Sequence, residues 1–151
     1  ALQNILTFRK DEGASLEKEF NLRIGNIRQY MEDALALDPE RVQAIKDRLQ
    51  TAISEWKVNV DENRFEQELI YYLEKLDITE EKVRLTNHLD YFLETIKGTE
   101  ANGRKLGFIT QEMGREINTM GSKSNHAQMQ KLVVMMKDEL EKIKEQVLNV
   151  L

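Results

Sequence analysis

Two glutamates in the C-terminal third, Glu112 and Glu116, have the spacing needed for metal chemistry. They stand four residues apart, so they share one face if residues 111–119 form a helix. Met113 and Ile117 lie beside them in the sequence, and partial burial there raises the free energy of two neighbouring anions. A divalent cation such as Mg²⁺ or Mn²⁺ lowers that energy and prefers oxygen ligands. The alternative is a solvated face with one salt bridge, which the spacing alone favours.

A histidine is the second candidate for chemistry. His88 follows Leu85 by three residues and precedes Phe92 by four, so it borders the apolar stripe of a predicted helix. A histidine that changes charge near neutral pH suits general acid or base catalysis of phosphodiester cleavage. The alternative is a structural histidine held by hydrogen bonds, and the pattern alone favours that alternative. The other histidine, His126, is expected at the surface.

Four basic residues surround the glutamate pair in the sequence. Such groups can bind a phosphate backbone while a metal activates water, or they can be ordinary counter-charges. They are Arg104, Lys105, Arg115 and Lys123.

Several common enzyme classes are disfavoured. The sequence has no cysteine, which excludes a disulfide scaffold, a thiolate zinc site and a cysteine nucleophile. Two histidines cannot build a three-histidine zinc site within one chain. The signatures of phosphate-loop, dinucleotide-binding, zinc-protease, serine-esterase and EF-hand proteins are absent from the sequence.

Helices must position these side chains, because strong helix formers make up more than half of the 151 residues and there is a single proline. Apolar spacing predicts an all-α fold, an elongated bundle of about six helices. The pair Asp38-Pro39 ends the first helix and starts the second, which predicts a long N-terminal helical hairpin. We expect a hairpin or stalk over residues 1–60 and a C-terminal helical domain over 61–151. The predicted helices cover residues 2–37, 39–56, 62–76, 80–96, 103–120 and 127–150.

The charge is unevenly distributed. The net charge of −5 argues weakly against a nucleic-acid partner. Residues 1–96 carry 13 Lys and Arg against 20 Asp and Glu, a net of −7, whereas residues 97–151 carry 9 against 7, a net of +2. No apolar run is long enough to span a membrane and no signal peptide is recognisable, so we expect a cytoplasmic protein without a membrane partner.

Several ordered segments together resemble the YicC/YloC family of bacterial proteins, from about residue 9 to the C-terminus. Family members are considerably longer, so the resemblance implies the C-terminal part of such a protein, without its N-terminal portion. Gly107 and Gly114 depart from the family pattern, in which a larger residue and Asn are usual, and both lower helix propensity. The matching segments are RKDEG (9–13), NRFEQEL (63–69), DITEEKVRLTNHL (77–89), GRKLGF (103–108), QEMGREINT (111–119), SKS (122–124), and Glu145, Gln146 and Asn149.

The resemblance implies an endoribonuclease that depends on a divalent metal, acts on RNA and assembles as a homo-oligomer. Carried over position by position, it implies a set of polar site residues without assigning their roles. These are His88, Glu112, Arg115, Glu116, Asn118 and Lys123, with Glu68, Asp77, Glu81, Arg84, Arg104 and Lys105 nearby in the pattern.

Family and chemistry together lead to one hypothesis and one rival. In the hypothesis, Glu112 and Glu116 ligate Mg²⁺ or Mn²⁺ with Glu81 or Asp77 as further ligands, and His88 is the general acid or base. The basic residues then hold the RNA backbone. The rival is a non-catalytic helical oligomerisation module of a larger RNA-binding protein, in which the acidic and basic residues form interhelix ion pairs.

Overall fold

The computed structural model describes residues 2–55, 61–98 and 103–150, with side chains from residue 13 to residue 149 of these ranges. This part of the chain contains six α-helices and no strand, which confirms the predicted all-α bundle. No helix within it has the length and apolar character needed to cross a membrane. The helices are α1 (Leu2–Ala36), α2 (Asp38–Glu55), α3 (Glu62–Lys75), α4 (Thr79–Lys97), α5 (Gly103–Lys123) and α6 (Ala127–Val150).

Aspartates mark the starts of α2, α3 and α4. Asp38 begins α2 directly before Pro39, the residue whose missing N–H is least costly in a first turn. The Asp61 carboxylate accepts the Asn63 N–H at 3.4 Å at the start of α3. Asp77 accepts both the N–H and the hydroxyl of Thr79, at 3.3 Å and 2.8 Å. These short polar side chains satisfy donors that a helix start leaves open, so they place the helix boundaries.

The core lies between α1, α4, α5 and α6, whose apolar stripes face one another. Phe20 of α1 meets Phe92 of α4 edge to face, with ring centroids 5.1 Å apart. Among the described side chains, the apolar stripes of these helices are buried from Phe20 onward, for example at Ile27, Met113 and Met136. Residues from both the predicted stalk and the predicted C-terminal domain therefore share one core, and the division at residue 60 stays a prediction.

Two glycines let α5 approach α6 closely. A Cβ added at Gly121 would lie 3.0 Å from the Val133 side chain, and one at Gly114 would lie 3.3 Å from Leu140. The helix propensity lost at Gly114 thus accompanies close packing against α6. Gly107 has no such neighbour, so the structure offers no packing reason for that glycine.

The α2 and α3 pair is much less buried than the rest. Arg41 is the one fully buried side chain of α2, and α3 has none among its described residues. The apolar α2 side chains Ile45 and Leu49 are half-buried. The predicted second helix extends to residue 56, which lies outside the described residues.

A buried carboxylate joins α1 to α6. Glu139 of α6 accepts hydrogen bonds from Arg23 and Asn26 of α1, each at 3.2 Å. Burial disfavours the charged form, but the donors Asn26 and Arg23 outweigh that effect and leave the pKa of Glu139 below its ordinary value of 4.5. The charged form of Glu139 is therefore stabilised by folding.

Glu139→Gln is expected to lower the free energy of unfolding by about 1 to 3 kcal/mol at neutral pH, the range for a hydrogen bond to a charged group. A lowered pKa gives stability that is present above the unfolded-state pKa and is lost as pH falls through the folded-state pKa. The difference between wild type and variant should thus be complete at pH 7 and shrink below pH 4.5. Urea unfolding as a function of pH measures it.

Glu141→Gln is the matched control, because Glu141 lies on the same helix, is exposed and contacts Lys144 at 3.5 Å. Its stability should stay close to that of wild type at every pH. A Glu139→Gln deficit of the same size at pH 7 and pH 3 would contradict the charge-based account.

Candidate functional site in the α4–α5 seam

The polar site lies along the seam where α4 and α5 pack against each other. Glu81, Arg84 and Tyr91 follow one another along α4, and they contact Lys123, Glu116 and Lys105 of α5 respectively. The residue numbers rise along α4 as they fall along α5, so the two helices are antiparallel. Positions that are far apart in the sequence therefore meet in order along one seam.

Glu116 is buried and forms an ion pair across the seam. Its Oε1 accepts the Arg84 Nε–H at 2.9 Å, and Arg84 also contacts Glu80 at 3.2 Å. The hydrogen bond that Arg84 donates to Glu116 is the main cause that raises the pKa of Arg84 above its ordinary value, against partial desolvation. Arg84 therefore stays positively charged and is held in place by carboxylates on both helices.

Glu81 is the more deeply buried carboxylate, with 2% of its surface exposed. Its Oε1 lies 2.8 Å from Lys123 Nζ and 3.6 Å from Arg84 Nη2. Its Oε2 is fully buried without a hydrogen-bond partner among the described residues. A buried carboxylate oxygen without a donor is costly, so this end of the seam can accept a further hydrogen bond.

Asp77 meets the same lysine through its backbone. Lys123 Nζ donates to the Asp77 carbonyl at 3.0 Å, while the Asp77 carboxylate is used at the start of α4. Asp77 and Glu81 are thus brought to one cation, but only Glu81 presents its carboxylate to it.

The antiparallel register places His88 and Glu112 between the Arg84–Glu116 ion pair and the contact of Lys105 with the Tyr91 ring. His88 is one turn beyond Arg84 on α4, and Glu112 is one turn before Glu116 on α5. The antiparallel register therefore places them along the same stretch. Both are half-buried, and neither has a hydrogen bond or ion pair within the described part of the chain. Among the predicted catalytic residues, these two keep side chains available for other partners.

The four predicted RNA-binding cations are divided by the structure. Arg104, Lys105 and Arg115 are exposed on α5. Lys105 Nζ lies over the Tyr91 ring, 4.9 Å from its centroid. Lys123 differs, because its ammonium group is half-buried and bound to Glu81.

The predicted metal ligands do not form a complete site by themselves. Across the described ranges, no group of three or more histidine and carboxylate side chains is placed to hold one ion. Glu116 and Glu81 face cations, and the Asp77 carboxylate is bonded to Thr79. An ion on Glu112 and Glu116 would need further ligands from water or substrate. Metal binding therefore stays a prediction.

Arg41 was missed by sequence reasoning and lies at one end of this site. It is 3% exposed and forms an ion pair with Asp38 at 2.8 Å. Its Nη1 donates to the carbonyl of Leu76, just before α4, and to the carbonyl of Lys123 at 3.0 Å. One guanidinium thus joins the starts of α2 and α4 to the end of α5. The residues next to Arg41 in the sequence do not indicate these contacts, because both carbonyl partners are distant in the chain.

Comparisons with known proteins agree with the resemblance. The family described as "Endoribonuclease YicC-like, C-terminal" matches residues 34–151. A curated protein of Clostridioides difficile named "Probable endoribonuclease YicC" is 37% identical over 99% of this chain and 52% of its own length. A protein of the same name from Haemophilus influenzae is 32% identical over 98% of this chain and 52% of its own length. The chain spans about half the length of these relatives.

Arg41→Ala is expected to lower the free energy of unfolding by about 2 to 4 kcal/mol, because it leaves two carbonyl acceptors and Asp38 without their donor. Arg41→Lys should restore only part of the lost free energy of unfolding, since an ammonium group cannot reproduce the planar set of donors of a guanidinium. Arg48→Ala is the control, because Arg48 is exposed and its hydrogen bond to the Asn125 carbonyl is long, at 3.4 Å. Chemical denaturation measures all three, and equal values for Arg41→Ala and Arg48→Ala would contradict the assignment.

Proposed function

Since the chain belongs to the C-terminal family of YicC-like endoribonucleases, we propose that it takes part in the cleavage of RNA phosphodiester bonds at the α4–α5 seam. The observation that carries this proposal is the order of groups along the seam. Two unpartnered titratable side chains, His88 and Glu112, lie next to a fixed arginine, Arg84. The family gives the reaction class, and the seam offers groups suited to it.

His88 and Glu112 are the proposed acid and base of this reaction. Cleavage of a phosphodiester requires a proton to leave the attacking hydroxyl or water and a proton to reach the departing oxygen. Two titratable groups that are half-buried and free of partners in the described part can exchange such protons.

Arg84 is proposed to bind the scissile phosphate. It is half-exposed, and Glu116 and Glu80 orient it from two helices without fully covering it. A guanidinium held this way presents donors that match phosphate oxygens and stabilises developing charge on them. Glu116 then acts as the residue that positions Arg84, besides its predicted role as a metal ligand.

The exposed cations of α5 are proposed to hold the RNA backbone outside the reacting phosphate. All three residues are exposed on α5: Arg104 and Lys105 precede Glu112, and Arg115 lies between Glu112 and Glu116. Phosphate contacts of this kind fix the orientation of a nucleic acid without reading its sequence. Lys123 can join them only by releasing Glu81, so its first proposed role is to pair with that buried carboxylate.

The rival function, an oligomerisation module without catalysis, rests on two observations. Glu81 and Glu116 are engaged in interhelix ion pairs. The α3 helix also exposes Ile70, Tyr71 and Tyr72, which suits contact with another protein. A homo-oligomer is compatible with both readings, and catalysis by His88 and Glu112 separates them.

His88→Gln and Glu112→Gln in the full-length protein should each lower the rate of RNA cleavage about 10²- to 10⁴-fold, the usual contribution of a general acid or base. Glu94→Gln is the control, because Glu94 is exposed on the same helix as His88 and has no hydrogen bond or ion pair within the described part of the chain. It should cleave within a few-fold of wild type. A labelled RNA hairpin and single-turnover kinetics provide the measurement. Unchanged rates in both variants with normal folding would favour the non-catalytic module.

Divalent-metal dependence is tested separately. Dialysis against a chelator should abolish cleavage and added Mn²⁺ or Mg²⁺ should restore it, if Glu112 and Glu116 bind an ion together with the substrate. Glu116→Gln should then raise the metal concentration needed for half-maximal rate, whereas the control Glu94→Gln should not. Full cleavage after chelation would contradict the metal role and leave the proposed RNA cleavage standing.

A further inference from the structure

We propose that Phe108, Tyr91 and Lys105 form a subsite for an unpaired nucleotide of the RNA, in which Phe108 stacks on the base and Lys105 contacts the phosphate. The proposal rests on the proposed function, because it assigns where RNA enters the α4–α5 seam. It adds a requirement for single-stranded character that the catalytic groups do not impose.

Phe108 is exposed on a helix whose neighbouring apolar side chains are buried. It is 63% exposed, whereas Leu106 and Ile109 on the same helix are in the core. Covering an exposed aromatic ring with another flat apolar surface is favourable, because it removes apolar area from water. Every nucleobase has such a surface, so stacking on a ring is a general mode of binding single strands.

Lys105 precedes Phe108 by three residues on α5, so the two side chains are neighbours on the helix surface. Lys105 Nζ lies 4.9 Å from the Tyr91 ring centroid, so the aromatic face orients the ammonium group. The ring does not neutralise that charge, unlike the carboxylate that binds Lys123. The Lys105 charge therefore remains available to a phosphate, three residues before Phe108 on α5.

The subsite is continuous with the proposed catalytic groups. Phe108 precedes Glu112 by one turn and Glu116 by two, about 12 Å along the axis of α5. Tyr91 follows His88 by three residues on α4. A single strand that stacks on Phe108 can thus continue along the seam to His88 and Arg84.

An unpaired nucleotide fits this surface better than a base-paired one. Bases within an RNA duplex are stacked on their neighbours and have no free face for a side chain. An unpaired base in a loop or tail can stack on Phe108 while its phosphate meets Lys105. The alternative occupant, another protein surface, does not make use of a positive charge beside the ring.

The test measures binding of a fluorescently labelled single-stranded oligoribonucleotide by anisotropy in the Glu112→Gln background, which prevents cleavage. Phe108→Ala is expected to raise Kd about 5- to 150-fold, the range for one stacked base. Phe108→Trp should retain binding close to that of the background protein, because the larger ring also stacks. A blunt RNA duplex should bind with similar Kd to both variants.

Tyr71→Ala is the matched control, because Tyr71 is also exposed, at 57%, and has Lys75 over its ring at 6.0 Å, but lies on α3. It should leave Kd unchanged. Lys105→Gln should weaken binding and lower the slope of log K against log salt by about 0.7, the value for one phosphate of a single strand.

The outcomes separate the subsite from the proposed function. Failure of the unmodified protein both to bind and to cleave RNA would overturn the proposed function. Binding and cleavage that are equally insensitive to Phe108→Ala and Tyr71→Ala would overturn the subsite alone. A change of oligomeric state in Phe108→Ala, seen by light scattering, together with unchanged Kd would show Phe108 to be a protein contact and would also overturn it.

Discussion

Two buried carboxylates between α4 and α5 constrain the rest of the site. Glu81 and Glu116 are almost without contact to water, so each needs a cation from the facing helix. Lys123 supplies one and Arg84 the other. Because these pairs join residues in opposite order along the two helices, they specify an antiparallel register. A shift by one turn would leave a buried negative charge unpaired, and breaking such a pair is far more costly than never forming it.

The same constraint determines which groups are left for chemistry. The ion pairs use Glu81, Glu116 and Lys123 for structure, whereas His88 and Glu112, one turn beyond the Arg84–Glu116 pair, have no partners in the described part. Arg84 stands between the two roles, since it is fixed by carboxylates yet half-exposed. A phosphate approaching Arg84 would compete with Glu116 for the same donors. That competition is a physical link between substrate binding and the packing of the two helices.

Much of the fold could be predicted from the sequence, and the site much less. Periodic apolar spacing identified the seams of α1, α4, α5 and α6, because burial of one stripe is a local property of a helix. Pairings between helices are not local. Arg84 and Glu116 are 32 residues apart, so the spacing of Glu112 and Glu116 within one helix could not identify the guanidinium that Glu116 faces. Arg41 was missed for the same reason, since its carbonyl partners lie 35 and 82 residues away. From the sequence, Gly114 only lowers helix propensity, whereas the structure shows that its missing side chain lets Leu140 of α6 pack closely.

The net charge was the weakest guide to partners, for a reason that the structure makes clear. The value of −5 counts every carboxylate equally. Glu81, Glu116 and Glu139 are buried and paired, so their charges are balanced within a few ångströms and contribute little to the field that a polyanion meets. Lys105 and Arg115 are exposed on α5 and lie in the part of the chain with a net positive charge. The electrostatic potential that a phosphate experiences at α5 therefore depends on the exposed charges around it. A negative net charge of the whole chain is compatible with the proposed RNA binding at the α4–α5 seam.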